Sequence, residues 1–354
     1  MPSPLHVPVA TISAIAPHPN ADSLDIAQVL GWQCVVKRGS FKEGDTVIYF
    51  APDVMLPREL SDAWGITQYL DKQRIRATKL RGEASFGLVM PYSVLPPQLD
   101  ALFEIGEDVA EYFGATKWEP PQRTRSHYGK IIDNPCGLPK DPLFPEYTHI
   151  ENLRHYPNLF GSDELVVVTE KLHGTNSRIG IIDGQWMAGS HKVRRGEGDE
   201  LYWSPRKQEG VEAMLTALSK YHKQVVLFGE ILGSDVQSLD YGYKGYEGYR
   251  AFDLMIDGRY VDYMAFATLC SLYDVDTVPF LDYCTFDFDE IRHLANGHTE
   301  VTVDEAETIC TSHLREGVVV KPLIERWDPK VGRVVAKFVS DEFLLAKKTD
   351  FAEV

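Results

Sequence analysis

The sequence predicts an α+β protein, with a small all-β barrel in front of a larger domain of antiparallel sheets and flanking helices. Three observations predict it. Residues 1 to about 115 carry short β-branched or apolar runs at even spacing, separated by turn signals. Residues 116–143 are punctuated by Pro120, Pro121, Pro135, Pro139 and Pro142, which disfavours both helix and sheet and reads as a linker. From residue 144 onward, apolar strand-like runs mix with amphipathic helical segments. The expected parts are therefore a barrel at 1–115, a linker at 116–143 and a mixed domain at 144–354.

Each element has its own warrant. In the barrel, residues 11–15, 24–30, 34–36 and 46–50 are the strand-like runs, and the turns fall at 17–22 and 42–45. In the second domain, residues 165–169 and 225–228 read as buried strands. Ser204-Pro205 fits an N-cap followed by the first helical residue, and Val211, Met214, Leu215 and Leu218 then recur at helical spacing on one face. Residues 317–320 read as a core strand and 333–337 as a strand presenting alternate cations. A second capped helix is expected to start at Ser340-Asp341-Glu342.

Composition bounds the function. The 354 residues carry 36 Lys+Arg against 52 Asp+Glu, a formal net charge of −16, with 44% hydrophobic and 25% charged residues. This is ordinary for a globular protein and excludes a disordered chain. No apolar run approaches the ~18 residues of a membrane span, and the N-terminus lacks a secretory pattern. Cys34, Cys136, Cys270, Cys284 and Cys310 form no CxxC pair or metal-type spacing. They are expected to be buried packing residues of a cytoplasmic protein. The acidic balance argues against a generic nucleic-acid coat, yet a local basic groove can sit on an acidic body. Lys72, Arg74, Arg76, Lys79 and Arg81 offer one. Alternating on a strand, the first three would share a face suited to tracking a phosphate backbone.

The chemistry concentrates elsewhere. There is no GxxxxGK[ST], HExxH or GxSxG, and the Gly242, Gly245, Gly248 run reads as an ordinary loop. Glu170-Lys171-Leu172-His173-Gly174-Thr175-Asn176 directly follows a buried strand. There a lysine can face a cleft, a glycine permits close approach, and an asparagine supplies a donor and an acceptor. Three later segments join it: Phe228-Gly229-Glu230, Arg315-Glu316-Gly317 running to Lys321, and Arg333 to Lys337. One nucleophilic lysine, two carboxylates and several cations are what nucleotidyl transfer needs. Attack on an α-phosphorus builds negative charge that lysines and a divalent ion stabilise.

Lys171-x-x-Gly174-x-Asn176, Phe228-Gly229-Glu230, Ala251-Phe252-Asp253-Leu254, the Glu316 to Lys321 segment and Ala336-Lys337, in that order, resemble the motifs of the covalent nucleotidyltransferases. These are the DNA ligases, RNA ligases and mRNA capping enzymes. The hexapeptide from Lys171 to Asn176, with the upstream Tyr147-Thr148-x-Ile150-Glu151-Asn152, is most similar to the RNA ligase 2 branch.

The resemblance implies residue roles. Lys171 would form lysyl–AMP from ATP. Glu170, Leu172, Asn176 and Glu230 would lie at the nucleotide, and Phe252 would stack on adenine. Glu316 and Glu230 would bind Mg²⁺ or Mn²⁺. Lys321 and Lys337 would hold the α-phosphate, and His173 would serve the later sealing steps. Two departures stand out. Val335 replaces the first lysine of the family's fifth motif, with Arg333 as a substitute on the same face. The basic residue expected about twenty positions after the nucleophile corresponds to His191 or Lys192.

Residues 17–24 resemble the start of the OB fold of tRNA-binding modules, and residues 80–88 complete a pattern similar to the Deinococcus-type RNA ligases, which place an OB domain first. Residues 338–354 alone follow Lys337, too few for the C-terminal OB domain of DNA ligases and capping enzymes. The expected function is thus an ATP-dependent RNA ligase, monomeric and acting on nicked RNA or RNA-containing duplexes. The alternatives are a DNA-ligase or capping-type enzyme, a non-catalytic RNA-binding protein that keeps the transferase fold, or a tRNA-binding accessory module.

Overall fold

The computed structural model describes residues 5–96, 103–118, 137–233, 236–237, 239–243, 245–301 and 313–346, with the backbone of 126–127 and 130–131. Half of the proline-rich stretch expected as a linker, together with Cys136 and Cys310, lies outside the described residues. The chain divides into two compact units. One is Met1–Gln122 with Glu151–Leu159 and Leu344–Val354, and the other is Arg123–Ile150 with Phe160–Phe343.

The first unit is built on β1 (Val9–Pro17), β2 (Leu24–Val29), β3 (Trp32–Lys37), β4 (Thr46–Phe50) and a hairpin of β5 (Thr78–Leu80) and β6 (Glu83–Ser85), followed by β7 (Leu88–Pro91). The order β3-β2-β1-β4-β7 is antiparallel throughout. In β2 and β3 every second residue is buried, as a half-buried strand requires. Their inward side chains join Trp32, Cys34, Tyr49, Phe50 and Phe86 in one core. The β5–β6 hairpin closes over β3, where Gln33 Nε2 donates to the Ala84 carbonyl at 2.9 Å and the Val35 N–H to Ser85 Oγ at 3.0 Å. The two expected turns form, and the second is cinched by the Lys42 N–H donating to Asp45 Oδ2 at 2.9 Å.

The basic stripe does not form as expected. Lys72 and Gln73 take positive φ angles of 53° and 72°, so residues 71–77 turn instead of alternating along a strand. Arg74 is buried: its Nη2 lies 2.6 Å from Asp53 Oδ1, and its guanidinium stacks 3.5 Å from the Trp118 ring centroid. Arg76 is paired with Asp71 at 2.9 Å. Lys79 and Arg81, on the exposed hairpin, remain available to a ligand, as does the exposed Lys72.

The second unit contains two large sheets. Four of its strands lie side by side in the order β17 (Ala336–Val339), β16 (Gly317–Pro322), β8 (Leu165–Lys171) and β15 (Phe280–Thr285). The other sheet has the order β11 (Arg194–Arg195), β10 (Gln185–Ser190), β9 (Thr175–Ile182), β12 (Gln224–Leu232), β13 (Gly248–Ile256) and β14 (Arg259–Tyr260). All pairings are antiparallel.

Helix α1 (Glu209–Ser219) covers one face of the second sheet with Val211, Met214 and Leu215. It begins later than Ser204-Pro205 suggests. Those residues open a 3-10 turn at Ser204–Lys207, and the extended Gln208 separates that turn from the helix. Helix α2 (Asp341–Leu345) starts where expected, its first turn fastened by the Phe343 N–H on Ser340 Oγ at 3.3 Å. Among the described residues no helix is long and apolar enough to cross a membrane.

Because Arg74 neutralises the buried Asp53, Arg74→Met should destabilise the chain by about 3–5 kcal/mol, the cost of stranding one partner of a buried pair. Thermal denaturation should show this as a marked fall in Tm. If the arginine instead served a nucleic-acid ligand, the melt would barely move and binding alone would suffer.

Candidate active site

Strand register places the candidate residues. In antiparallel sheets, directly opposed residues share a face, and along a strand every second residue does. Lys171, the last residue of β8, opposes Gly317; Thr169 opposes Val319, which opposes Lys337; and Val167 opposes Lys321. Lys171, Lys321 and Lys337 therefore project from one face of one sheet. All three are buried, at 9%, 3% and 0% exposure. Glu316 immediately precedes β16, and its backbone carbonyl is held by the Ser340 N–H at 2.9 Å. Its carboxylate is fully buried and makes the central contact of the site: Lys171 Nζ donates to Oε1, and His173 Nδ1 lies 3.3 Å from Oε2.

The chain turns at 172–174 and enters the second sheet. There Asn176 opposes Glu230, which opposes Arg250. The Gly174 N–H donates to Glu230 Oε1 at 3.1 Å. Gly174 is required by close approach, since an added Cβ would come within 2.2 Å of the Ile231 carbonyl oxygen. Gly317, opposite Lys171, is similarly hemmed in, at 2.1 Å from the Phe338 carbonyl oxygen. Glu230 is desolvated, and burial pushes its carboxyl up to about 7 against the attraction of the Lys171 charge.

Phe252 sits where the β12–β13 register slips: Phe228 pairs with Asp253 and Gly229 with Ala251, so Phe252 is the bulged residue. A bulge re-aims a side chain, and Phe252 is left half-buried, edge-on to Tyr147 at 4.9 Å. Its carbonyl accepts from Lys321 Nζ at 2.7 Å, which ties the lysine sheet to the carboxylate sheet.

The neighbouring Asp253 was not anticipated as a functional residue. It is a buried hub that receives Lys321 Nζ at 2.9 Å, Arg333 Nη1 at 2.9 Å and Nη2 at 3.1 Å, and the Tyr147 hydroxyl at 2.5 Å. Burial alone would raise its carboxyl, but Arg333 and Lys321 hold it below the ordinary carboxylate range. The signal was present in the sequence as an acid inside the apolar run Ala251-Phe252-Asp253-Leu254.

Several expectations need correction or qualification. Arg333 does not stand in for the lysine missing at Val335. It lies in a separate short strand, Gly332–Arg333, committed to Asp253 and Glu325 and stacked 3.5 Å from the Tyr260 centroid. Val335 itself is buried. Glu170 alternates to the sheet face opposite Lys171. There it accepts from the Glu300 N–H at 2.8 Å and faces Arg315, and burial pushes its carboxyl up to about 7. Leu172 packs into an apolar cluster with Leu232, Tyr241 and Val301. His191 sits among Glu146, Arg178 and Lys192, its imidazole pushed down by burial to about 4, while Lys192 is exposed. Of the cysteines, Cys34 and Cys270 are buried and Cys284 is half-buried, all as free thiols.

A buried lysine paired with a carboxylate, beside two further lysines on its own sheet face and a second carboxylate across the turn, invites comparison with known proteins. A family model described as RNA ligase matches residues 164–339, a span that runs from the start of β8 to the end of β17 and contains every member of this cluster. A second model, an OB-fold domain, matches residues 6–92. The chain belongs to the RNA ligase family. It is a ligase-class enzyme whose transferase domain follows an OB fold, the curled sheet of the first unit.

Solved structures of Naegleria gruberi RNA ligase share this architecture. An apo mutant aligns at 24% identity and TM-score 0.76, covering 97% of this chain and 98% of that one. A mutant with ATP and manganese aligns at 24% identity and TM-score 0.76, covering 96% and 98%. The enzyme with pyrophosphate aligns at 25% identity and TM-score 0.75, covering 96% and 97%. No curated protein matched the sequence.

Two outcomes follow for this RNA ligase-family site. Asp253→Asn leaves Lys321 and Arg333 sharing an uncharged partner, and should lower stability by about 3–5 kcal/mol, read as a fall in Tm; an unchanged melt would contradict the hub. Glu230 gains protonation on folding, so its contribution to stability is complete below its ordinary value of 4.5 and is lost as pH rises through about 7. Ligand-free Glu230→Gln should therefore show a shallower decline of Tm between about pH 4.5 and 7 than the parent. Parallel declines would mean Glu230 is ionised throughout.

Proposed function

We propose that this enzyme is an ATP-dependent RNA ligase that joins a 3′-hydroxyl to a 5′-phosphate at nicks in duplexes. The observation that carries the reading is the buried Lys171–Glu316 pair, with Lys321 and Lys337 on the same sheet face. A purely structural ion pair has no need of two further buried lysines beside it, whereas a nucleophile attacking an α-phosphate does.

The residues fit a nucleotide and a divalent ion. Asn176 Oδ1 is buried without a hydrogen-bond partner among the described residues, as a ribose or base contact would leave it before the ligand arrives. Glu230 and Glu316 supply hard carboxylate oxygens, the donor type that Mg²⁺ and Mn²⁺ select, and they would hold the metal. The Naegleria enzyme was solved with ATP and manganese, with AMP and manganese, and with pyrophosphate. A bound ion would supply charge stabilisation for the pentacoordinate phosphorus and the leaving group.

The chain's own groups account for the rest. Attack requires Lys171 as the neutral amine, a form that the neighbouring lysine cations favour, and a divalent ion held by Glu316 would add positive charge to the same end. The neutral amine attacks the α-phosphorus. The N–P bond forms, the bond to the bridging oxygen breaks, and pyrophosphate departs with that electron pair as Nζ gives up a proton. Lys321 and Lys337 stabilise the charge on the non-bridging oxygens. AMP then passes to a 5′-phosphate, and the 3′-hydroxyl displaces it. His173, across Glu316 from Lys171, is suited to these later steps. Residues 1–115 act as the nucleic-acid module, with Lys79 and Arg81 its exposed cations. Free thiols at Cys34, Cys270 and Cys284 accord with a reducing, cytoplasmic setting.

The test is incubation with Mg²⁺ and α-labelled ATP, followed by denaturing electrophoresis. A covalently labelled band is expected for the parent chain and none for Lys171→Ala, with activity down by at least 10³-fold. Nicks with ribose or deoxyribose at the 3′ end should then be sealed unequally, in favour of ribose. Absence of the band in the parent would leave the non-catalytic RNA-binding reading, and indifference to the sugar would remove the RNA preference.

A further inference from the structure

The glycine- and tyrosine-rich segment around Gly242, which reads as an ordinary loop in the sequence, contains the most unusual backbone near the nucleophile. Tyr241 has φ 50°, a left-handed conformation that a tyrosine rarely adopts, and it is completely buried. Such strain persists only where the surroundings over-determine it, and here they do. The Asp240 carboxylate accepts from the Gly242 N–H at 2.9 Å and lies 3.1 Å from His313 Nε2. The Tyr243 N–H closes the turn on the Asp240 carbonyl at 2.8 Å. The Tyr241 ring is wedged among Leu172, Leu232, Val278 and Val301, with His313 edge-on at 5.7 Å.

All of this directs one hydroxyl. The oxygen of Tyr241 accepts the His173 N–H at 2.8 Å. The ladder between β8 and β16 ends at the Lys171–Gly317 pair, so the amides that follow need other partners. The His173 amide goes to Tyr241 and the Gly174 amide to Glu230. The two bonds fix successive peptide planes just beyond the nucleophile, one from each side of the turn. Burial, reinforced by the Glu316 charge, pushes the phenol well above its ordinary range, so the hydroxyl stays neutral at any working pH.

We propose that Tyr241 is a positioning residue for adenylylation, its hydroxyl clamping the turn after Lys171 so that Nζ and Glu316 stay aligned with the incoming phosphate. The inference rests on the reading of Lys171 as the nucleophile. The hydroxyl acts on the chemical step, where a displacement of about 1 Å can cost about a hundredfold, and leaves nucleotide affinity alone.

Tyr241→Phe keeps the ring and its packing and deletes only the oxygen. Two measurements on the full chain test it. Hydrogen exchange of the peptide spanning residues 170–176, without nucleotide, should speed up at least tenfold at His173 while the global melt moves little. Single-turnover formation of the labelled adduct should slow by about 10- to 100-fold at saturating ATP, with the ATP concentration for half-maximal rate unchanged.

Unchanged exchange, or faster exchange with an unchanged rate, overturns the proposal. So does a loss confined to ATP affinity or matched by a collapse of the melt, because either assigns Tyr241 to binding or folding. Should the parent chain itself form no adduct, the nucleophile reading falls and takes the catalytic part of the proposal with it. The exchange result would still report the clamp, so the two failures remain distinguishable.

Discussion

Lys171 and Glu316 are far apart in sequence, and their contact depends on strand register. Lys171 terminates one strand, Glu316 precedes its antiparallel neighbour, and the opposed pair between them is Lys171–Gly317. A slip of one residue would send Lys171 to the other face of the sheet, where Glu170 now lies. The alternation that gives Lys171 its carboxylate also aligns Lys321 and Lys337 with it and withholds Glu170. The glycine opposite Lys171 lets the backbone of β17 approach closely, which keeps the three strands tight where the lysines share a face. The geometry of the candidate site is thus a consequence of sheet pairing, and the flanking helix α1 serves chiefly to bury the far face of the neighbouring sheet.

Much of this was legible before any coordinates. Strands announced themselves as β-branched runs, and the glycine-flanked lysine and carboxylates stood at strand ends, where a cleft opens. The four lysine and glutamate positions 171, 316, 321 and 337 all stand out in the sequence itself. Readings that relied on alternation failed where local backbone broke it. Lys72 and Gln73 adopt left-handed angles, so the supposed basic stripe curls and buries Arg74. Arg333 was likewise assigned to the strand of Lys337, but that strand begins only at Ala336.

Other residues were hidden for a different reason. Asp253 and Tyr241 act through partners remote in sequence: Arg333 is 80 positions from Asp253, and His173 is 68 from Tyr241. A one-dimensional pattern cannot report such pairings. What it could have offered is the oddity of each residue in place, an acid within an apolar strand and a large aromatic in a glycine-rich turn. Such exceptions to local consistency tend to fall at functional sites, and both of these touch residues of the candidate site, Lys321 and His173.

The commitment of Lys321 to Asp253 has a bearing on selectivity. On the proposed function, a phosphate reaching Lys321 would meet a cation that already has a counter-charge in Asp253, and would have to dislodge that internal anion before it could be gripped. An isolated orthophosphate or a stray carboxylate, with little else to hold it, is outcompeted by the resident aspartate. A larger anion that is anchored at several other points can prevail in the exchange. Discrimination would then be a contest between anions, settled by how many footholds the newcomer has.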